Sequence, residues 1–460
     1  MTDFGNRGDL MELLNYDNQI LYVQRIFAKK LVFFQIYYNL AIKFLIGQFG
    51  FPHSLNYVTD FVTFVIVLLS LGELRAGYRK HRFIYHVIFL LLLFTGIGYF
   101  FNLYSPLLYF WGLRNTYRFF IFFLCCAVLL NKKDIQKIIT VLIRLLPLNV
   151  LICTYQYFTL RNSGGYVSLY LGDFIGGMFG PMQGSNVAMN VYLSIILIMS
   201  LAAFTEKKMS FLKFMFYSSM CFYIAILAEM KIIYFEFFVI IAMIMLASRI
   251  SFKKIATFLL GIILLIGVLN IWTLFNPTSS SYLTNWDSIL EYSAKTSYAG
   301  TGSLNRFTAI PVISKIFFQN NLSEELIGIG LGNADTSNIK YFNSPTYVVY
   351  GDTLKYTFFQ QAILYLETGI IGLLLYVGFF LVLFFSSFQK STIQWGNNNE
   401  YIYILIARVF SILAIIMVFY NQTFRLESSG YLAFLILAIP FIWRNNPEEE
   451  VTNEARRMKA

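Results

Sequence analysis

The sequence predicts an all-α, polytopic integral membrane protein with about twelve transmembrane helices and one large extracytoplasmic loop. Composition is the first indication: of 460 residues, 58% are hydrophobic and only 13% are charged, a balance typical of helices that face lipid. The second is a series of apolar runs, each long enough to cross a bilayer. The third is the position of the basic residues, which form short clusters between those runs.

A membrane-crossing helix needs about 20 predominantly apolar residues. On that criterion we expect helices at Leu31–Phe49, Asn56–Leu74, Phe83–Phe101, Thr116–Leu130, Ile138–Leu160, Val187–Phe204, Phe211–Ala228, Ile232–Ser248, Ile255–Phe275, Phe358–Phe384, Tyr401–Tyr420 and Ser429–Trp443. The chain then divides into a cytoplasmic segment (1–30), spans one to nine (31–275), an extracytoplasmic loop domain (276–357), spans ten to twelve (358–443) and a cytoplasmic tail (444–460).

The basic clusters orient the predicted spans. They follow spans two, four, six and eight, where Lys and Arg retained in the cytoplasm should collect. Both termini are therefore expected in the cytoplasm, and the loop domain outside. Arg114 and Arg118 lie on the other side and break this rule, which makes them candidates for a binding role.

Several classes of function are disfavoured. The net charge of +11 could indicate nucleic acid, but the basic residues belong to the short cytoplasmic loops, so no nucleic-acid partner is expected. The four cysteines lie within apolar runs and are interpreted as packing residues. The loop domain has no histidine or cysteine, so zinc chemistry and a Ser/His/Asp triad are improbable. We expect no metal and no cofactor.

Lys231 is the first candidate for a functional residue within the membrane. Spans seven and eight leave almost no residues for a turn, so Lys231 is expected at or just beneath the outer interface. A lysine in the hydrocarbon costs up to about 2.5 to 3.5 kcal/mol and usually has a partner or a pathway. The alternative is a simple ion pair with Glu229 or Glu236.

Span ten begins where the loop domain ends, with polar residues on one helical face: Gln360, Gln361, Glu367 and Thr368. This polar face predicts a wet groove lined by protein. The alternative is that its polar atoms only join the helix to its neighbours. Arg408 in span eleven is a further buried charge, and its simplest explanation is an ion pair with Glu367.

The run Ile327–Asn333 is rich in glycine but is not a nucleotide-binding loop. It lacks the Lys-Ser/Thr that follows a P-loop, and it does not open a helix after a strand. We interpret it as a flexible turn that lets the chain approach another segment closely.

The remaining cations expected at the outer face are Arg114, Arg118, Lys231 and Arg306. Arginine binds phosphate oxygens in a bidentate manner. Several such groups at the end of a membrane anchor would suit a lipid diphosphate.

Short segments follow one another in a set order before, within and after the long outer loop: Trp111–Arg118, Phe179–Asn186, Ala228–Lys231, Asn305–Arg306, Ile327–Gly332 and Leu366–Gly372. In these segments and their order the chain resembles the polysaccharide polymerases of the O-antigen polymerase and O-antigen ligase superfamily. The resemblance covers most of the chain in architecture, and its sequence signal lies in these segments.

The resemblance implies glycosyl transfer at the outer face of a bacterial cytoplasmic membrane. The donor would be a growing undecaprenyl-diphosphate-linked glycan and the acceptor the next lipid-linked repeat unit. The ligase branch usually has a histidine about nine residues before the glutamate of the last segment, where this chain has Phe358. That difference favours a repeat-unit polymerase, with an O-antigen-type ligase and a lipid-linked-oligosaccharide flippase as alternatives.

The resemblance also implies roles for individual residues. Arg306, Lys231 and Glu367 are the candidate catalytic residues, with the two cations neutralising the departing diphosphate. The base that accepts the hydroxyl proton would be Glu367 or Asp352. Candidate diphosphate- and substrate-binding residues are Arg114, Arg118, Asn186 and Gln360. Membrane lipid, a chain-length regulator and a flippase are the further candidate partners.

Overall fold

The computed structural model describes residues 6–165, 167, 170–247, scattered positions between 263 and 273, 302–388 and 400–444, with side chains from residue 22 onward. All regular secondary structure in these residues is helical, which confirms the predicted all-α class. Most of the predicted span Ile255–Phe275, the first part of the loop domain (276–301) and the tail beyond residue 444 lie outside the described residues.

Long helices dominate the first half of the chain. In order they are α1 (Asn6–Phe49), α2 (Val58–Leu69), α3 (Leu71–Lys80), α4 (Arg82–Asn102), α5 (Pro106–Leu129), α6 (Lys132–Arg161), α7 (Ser185–Thr205), α8 (Phe211–Leu227) and α9 (Ile232–Ala247). Short 3-10 turns occupy His53–Tyr57, Leu171–Phe174 and Gly177–Phe179.

The described second half contains short helices in the loop domain, followed by three long ones. These are α10 (Ala309–Ile313), α11 (Leu322–Ile327), α12 (Pro345–Leu354), α13 (Gln360–Ser386), α14 (Tyr401–Tyr420) and α15 (Glu427–Arg444). A π-helical turn, Ser314–Phe318, continues α10.

Seven helices in the described residues are long and apolar enough to cross a membrane, or eight if the bent pair α2 and α3 forms one span. The chain is therefore a membrane protein, with fewer candidate spans than the twelve expected from sequence. Helices α8 and α9 are apolar but short, with 17 and 16 residues. They are joined by the tight turn that the sequence predicted.

Predicted spans one, two and four differ most from the helices observed. Helix α1 begins at Asn6, well ahead of the expected Leu31. Span two is split at Ser70, where α2 and α3 meet at 71°. Span four begins about ten residues earlier than expected, because Pro106 at the first helical position starts α5. Arg114 therefore lies within a helix and not in a connection between helices.

The bundle has a protein-packed centre and a lipid-exposed periphery. Within the apolar windows of α5, α7 and α14, 72%, 83% and 72% of residues are buried, against 22% in α4. Helix α15 packs along α5 and α14, and its residues from Ser428 to Trp443 are buried. Charged residues on α5 and α15 must therefore find partners inside protein.

Helix α13 is broken at Gly369, whose φ of 61° and ψ of −169° are not helical. The segment Gly328–Gly332, here named the glycine segment, pairs with the carbonyls exposed by this break. Ile329 N donates to Leu366 O at 2.9 Å, and Gly330 N donates to Glu367 O at 2.9 Å. The close approach predicted for the glycine-rich run is confirmed: a Cβ at Gly328 would lie 2.6 Å from the Glu367 carbonyl carbon.

Replacing Gly369 by Ala is predicted to lower the melting temperature of the detergent-solubilised protein. Its backbone conformation is available almost only to glycine and would cost about 1 to 3 kcal/mol in alanine. An added Cβ would also overlap the Leu326 carbonyl. Gly378→Ala is the matched control, since Gly378 lies in the same helix with no neighbouring atom near its Cβ position. Equal melting of the two variants would contradict the close packing of the glycine segment.

Candidate functional site

The predicted site residues collect at one end of the bundle, which we call the loop end. It is the end at which α1 and α14 finish and α5, α13 and α15 begin. Two separate groups of charged side chains lie there, and the structure gives them different sets of partners.

The first group, the Glu427 network, consists of Lys43, Asp60, Arg114, Arg118 and Glu427. Arg118 donates to Glu427 Oε1 at 3.0 Å and lies 3.5 Å from Asp60 Oδ1. Glu427 Oε2 lies 3.2 Å from Lys43 Nζ. Arg114 Nε donates to Asp60 Oδ2 at 3.1 Å. The network ties α1, α2, α5 and α15 together.

A third carboxylate, Asp335, extends this network toward the loop domain. Asp335 pairs with Arg425 and accepts a hydrogen bond from Asn115 Nδ2 at 2.6 Å. The carbonyl oxygen of Arg425 accepts a hydrogen bond from Arg118 Nη2 at 2.9 Å. The charges of Asp335 and Arg425 also act on Glu367, so Glu367 belongs to this extension.

The two arginines predicted to bind diphosphate are thus already bound to protein. The side chain of Arg118 is only 5% exposed, and it contacts two carboxylates and a carbonyl oxygen. Arg114 stacks on Trp111 at 4.8 Å while it pairs with Asp60. Both guanidinium groups therefore act as structural ties in this arrangement.

Arg306 lies outside the Glu427 network, at the ends of α13 and α14. Its Nε donates to the carbonyl of Tyr420, the last residue of α14, at 3.0 Å, and its guanidinium lies 4.2 Å from the centre of the Tyr420 ring. Its own carbonyl accepts from Gln361 Nε2 at 3.3 Å. These contacts fix Arg306 at the ends of α13 and α14 and leave its side chain partly exposed.

Arg306 belongs to the second group, the Arg306 cluster, together with Asp173, Asn186, Glu229 and Lys231. The positive charges of Arg306 and Lys231 both act on Asp173, and that of Lys231 also acts on Glu229. Asn186 donates to Asp173 Oδ1 at 3.2 Å. All five residues are partly exposed. Of the predicted residues, Asn186 thus binds Asp173 directly, and the charges of Arg306 and Lys231 act on the same carboxylate.

The two carboxylates of the cluster lie in connections between helices, Asp173 after α6 and Glu229 after α8. Burial raises the pKa of Asp173, and the hydrogen bond from Asn186 and the charges of Arg306 and Lys231 oppose that rise. Burial also raises the pKa of Glu229, and Lys231 lowers it. The cluster thus contains two partly exposed cations and two carboxyl groups whose pKa values are raised. Such an arrangement can both hold an anion and accept a proton.

Other predicted residues lie apart from this cluster. Gln360 is buried, donates to the Tyr376 hydroxyl at 2.9 Å and accepts from Phe424 N at 2.9 Å, so it joins helices. Glu367 is 1% exposed beneath the glycine segment and accepts from Ala334 N. Asp352 has a 94% exposed side chain and pairs with Lys355.

Two ion pairs suggested by the sequence, Arg408 with Glu367 and Lys231 with Glu236, are replaced by other contacts of Arg408 and Glu236. The predicted Arg408–Glu367 pair is wrong, because Arg408 donates to Ser387 Oγ and O, both at 2.9 Å, at the opposite end of α13. Glu236 accepts from Asn190 Nδ2 and Ser194 Oγ at 2.9 and 2.7 Å. These donors satisfy both of its oxygens inside the bundle.

Sequence reasoning missed Asp173, and it missed the acidic residues that bind the arginines: Asp60, Asp335 and Glu427. The residues predicted at the loop end were mainly cations, although each buried cation also implies a carboxylate partner. Asp60 and Glu427 follow this logic visibly, since each lies at the start of an apolar run. Asp173 had no such signal, because its position depends on how a connection folds back on the bundle.

Within the part of the chain that the structure describes, no three His, Cys, Asp or Glu side chains are grouped as a metal site would require. Comparison with known proteins gives no direct identification: no family model and no curated protein matches the chain. Its function is therefore inferred from the residues and their geometry.

Replacing Arg118 by Ala is predicted to lower the melting temperature of the purified protein substantially. Removing one partner of a buried ion pair costs about 3 to 5 kcal/mol, since the other charge stays buried. Arg161→Ala, at the exposed end of α6, is the control and should melt like the parent. If Arg118→Ala also melted like the parent, Arg118 would not be a structural tie.

Proposed function

We propose that this protein is a surface-polysaccharide polymerase. It transfers a growing undecaprenyl-diphosphate-linked glycan onto the next lipid-linked repeat unit at the outer face of a bacterial cytoplasmic membrane. The observation that carries this proposal is the Arg306 cluster, in which two accessible cations from distant parts of the chain share one region at the helix ends.

The chemistry of a lipid diphosphate suits the cluster. The diphosphate of such a donor sits at the membrane surface, where its isoprenoid anchor leaves the lipid. Arg306, held by the Tyr420 carbonyl and by Gln361, would place its guanidinium beside phosphate oxygens. Lys231 would add a point charge from the turn between α8 and α9. Fixed cations of this kind stabilise the charge that develops on a leaving diphosphate.

The proposal includes a topology finer than the described helices. About twelve spans, with both termini in the cytoplasm and residues 276–357 outside, would make the loop end the extracytoplasmic face. The short apolar helices α8 and α9 support this count if the membrane is thin around their turn, or if Lys231 extends toward the interface. Such a site would receive substrates only after they have been moved across the membrane.

Arg114 and Arg118 take a different role in this proposal from the one their position suggested. They hold α5 against α2 and α15 through Asp60 and Glu427. The walls of the site are thereby fixed while Arg306 and Lys231 contact the diphosphate.

The proposal is tested by chain growth in nanodiscs that contain only the purified protein. The substrate is the lipid-linked repeat-unit fraction extracted from cells that lack this chain, and products are separated on a gel. The parent protein is expected to give a ladder of longer glycans. A product formed only with a different acceptor would indicate a ligase, and movement of lipid without product would indicate a flippase.

The double variant Arg306→Ala, Lys231→Ala is predicted to reduce ladder formation by about 100-fold or more, because removal of a single stabilising donor already costs about that much. Arg161→Ala removes an exposed cation from the same end of the bundle and should leave the ladder unchanged. Arg306→Lys keeps the charge but loses the bidentate geometry, so partial activity is expected. A normal ladder from the double variant would refute the assignment of these roles.

A further inference from the structure

A transfer of this kind needs a group that takes the proton of the acceptor hydroxyl, and neither carboxylate suggested by the sequence is placed to do so. Glu367 is buried beneath the glycine segment, and its Oε1 accepts from Ala334 N at 3.3 Å. Asp352 is exposed and pairs with Lys355 at 3.1 Å. The charges that act on Glu367 come from Asp335 and Arg425 and not from the Arg306 cluster.

Asp173 lies where such a group is needed. It belongs to the 3-10 turn Leu171–Phe174, between α6 and α7, and its carbonyl accepts from Gly184 N at 3.0 Å. The preceding Gly172 packs directly on the turn between α8 and α9. A Cβ on Gly172 would lie 2.6 Å from Glu229 Cβ and 2.9 Å from Ala228 O. This glycine brings Asp173 beside the turn that carries Lys231.

The neighbours of Asp173 orient its carboxylate and affect its pKa. Asn186, at the start of α7, donates to Oδ1 at 3.2 Å. The charged groups that act on it include Arg306, from the segment ahead of α10, and Lys231, from the α8–α9 turn. Glu229 in the same turn also interacts with it, since the charge of Asp173 raises the pKa of Glu229. Its side chain remains partly exposed, so a substrate hydroxyl can reach it.

We propose that Asp173 is the general base of the transfer reaction and that Asn186 is its positioning residue. The inference rests on the proposed polymerase function and names the residue that takes the place of a histidine.

The step balances without a further reactant. The acceptor hydroxyl oxygen forms a bond to the anomeric carbon of the donor glycan, and its proton passes to the carboxylate of Asp173. The bond between the anomeric carbon and the diphosphate oxygen breaks, and the diphosphate leaves with that electron pair. Arg306 and Lys231 compensate the charge that it gains. Asp173 then releases the proton to water before the next cycle.

Asp173→Asn tests the role, since it keeps the shape of the side chain and removes the basic oxygen. Chain growth is measured in nanodiscs with the lipid-linked repeat-unit fraction, and binding is measured separately with undecaprenyl diphosphate. Chain growth is expected to fall by about 100-fold or more, while undecaprenyl diphosphate binds as tightly as before or tighter. Glu324→Gln, a carboxyl-to-amide change elsewhere in the loop domain, is the control and should leave chain growth unchanged.

The pH profile separates a base from a mere counter-ion. A base must be ionised, so chain growth by the parent should rise with pH through the pKa of Asp173, which burial has raised. Asn186→Ala removes a hydrogen bond that lowers this pKa, so its acidic limb should move to higher pH and much of its activity should return there. Asp173→Asn should lose this limb.

The possible outcomes distinguish this inference from the function on which it rests. Loss of chain growth with retained binding supports Asp173 as the base. Full chain growth by Asp173→Asn overturns the role while leaving the polymerase intact. Loss of undecaprenyl diphosphate binding by Asp173→Asn also overturns it, because Asp173 would then build the site and not accept a proton. A parent protein that forms no ladder overturns both proposals.

Discussion

The structure depends on one constraint: a charged side chain near the end of a membrane helix needs a partner within the protein. Without one, its charge would lie at the edge of the hydrocarbon, where it is poorly solvated. At the loop end this constraint produces two groups. Arg114, Arg118 and Arg425 are compensated by Asp60, Glu427 and Asp335 at ion-pair distance. The ion pairs of Arg114 and Arg118 hold α5 against α2 and α15.

Arg306 and Lys231 are held by other means. The Arg306 guanidinium donates to the Tyr420 carbonyl and lies over the Tyr420 ring, contacts that orient it at the ends of α13 and α14. Lys231 lies in a turn between two short helices and is partly exposed. In the proposed reaction, the two sets of cations therefore have different roles: the paired arginines join helices, and Arg306 and Lys231 contact the diphosphate.

The glycine segment relates the loop domain to the same end of the bundle. It fills the break in α13 with backbone hydrogen bonds and packs against α5, where an added Cβ at Gly112 would lie 2.6 Å from Gly332 N. Glycine at these positions permits backbone-to-backbone contact that any side chain would prevent. The loop domain is thus fixed to the helices that carry Arg118 and Glu367.

Much of the fold could be predicted from sequence, because long apolar runs can hardly form anything but helices in lipid. The bounds of α4, α7 and α14 agree with the expected spans within about two residues, and the tight turn around Lys231 follows from length alone. The bend at Ser70 and the break at Gly369 could not be predicted, since both are decided by packing. Arg306 and Lys231 were predicted at the same face from their positions beside spans, whereas the position of Asp173 depends on a tertiary contact through Gly172.

A cryo-EM structure of the protein in nanodiscs with undecaprenyl diphosphate would test the division between the two groups of cations most directly. Phosphate density beside Arg306 and Lys231, with Arg118 still paired to Glu427, is the expected result. Density bound by Arg114 and Arg118, with their carboxylate partners displaced, would contradict it.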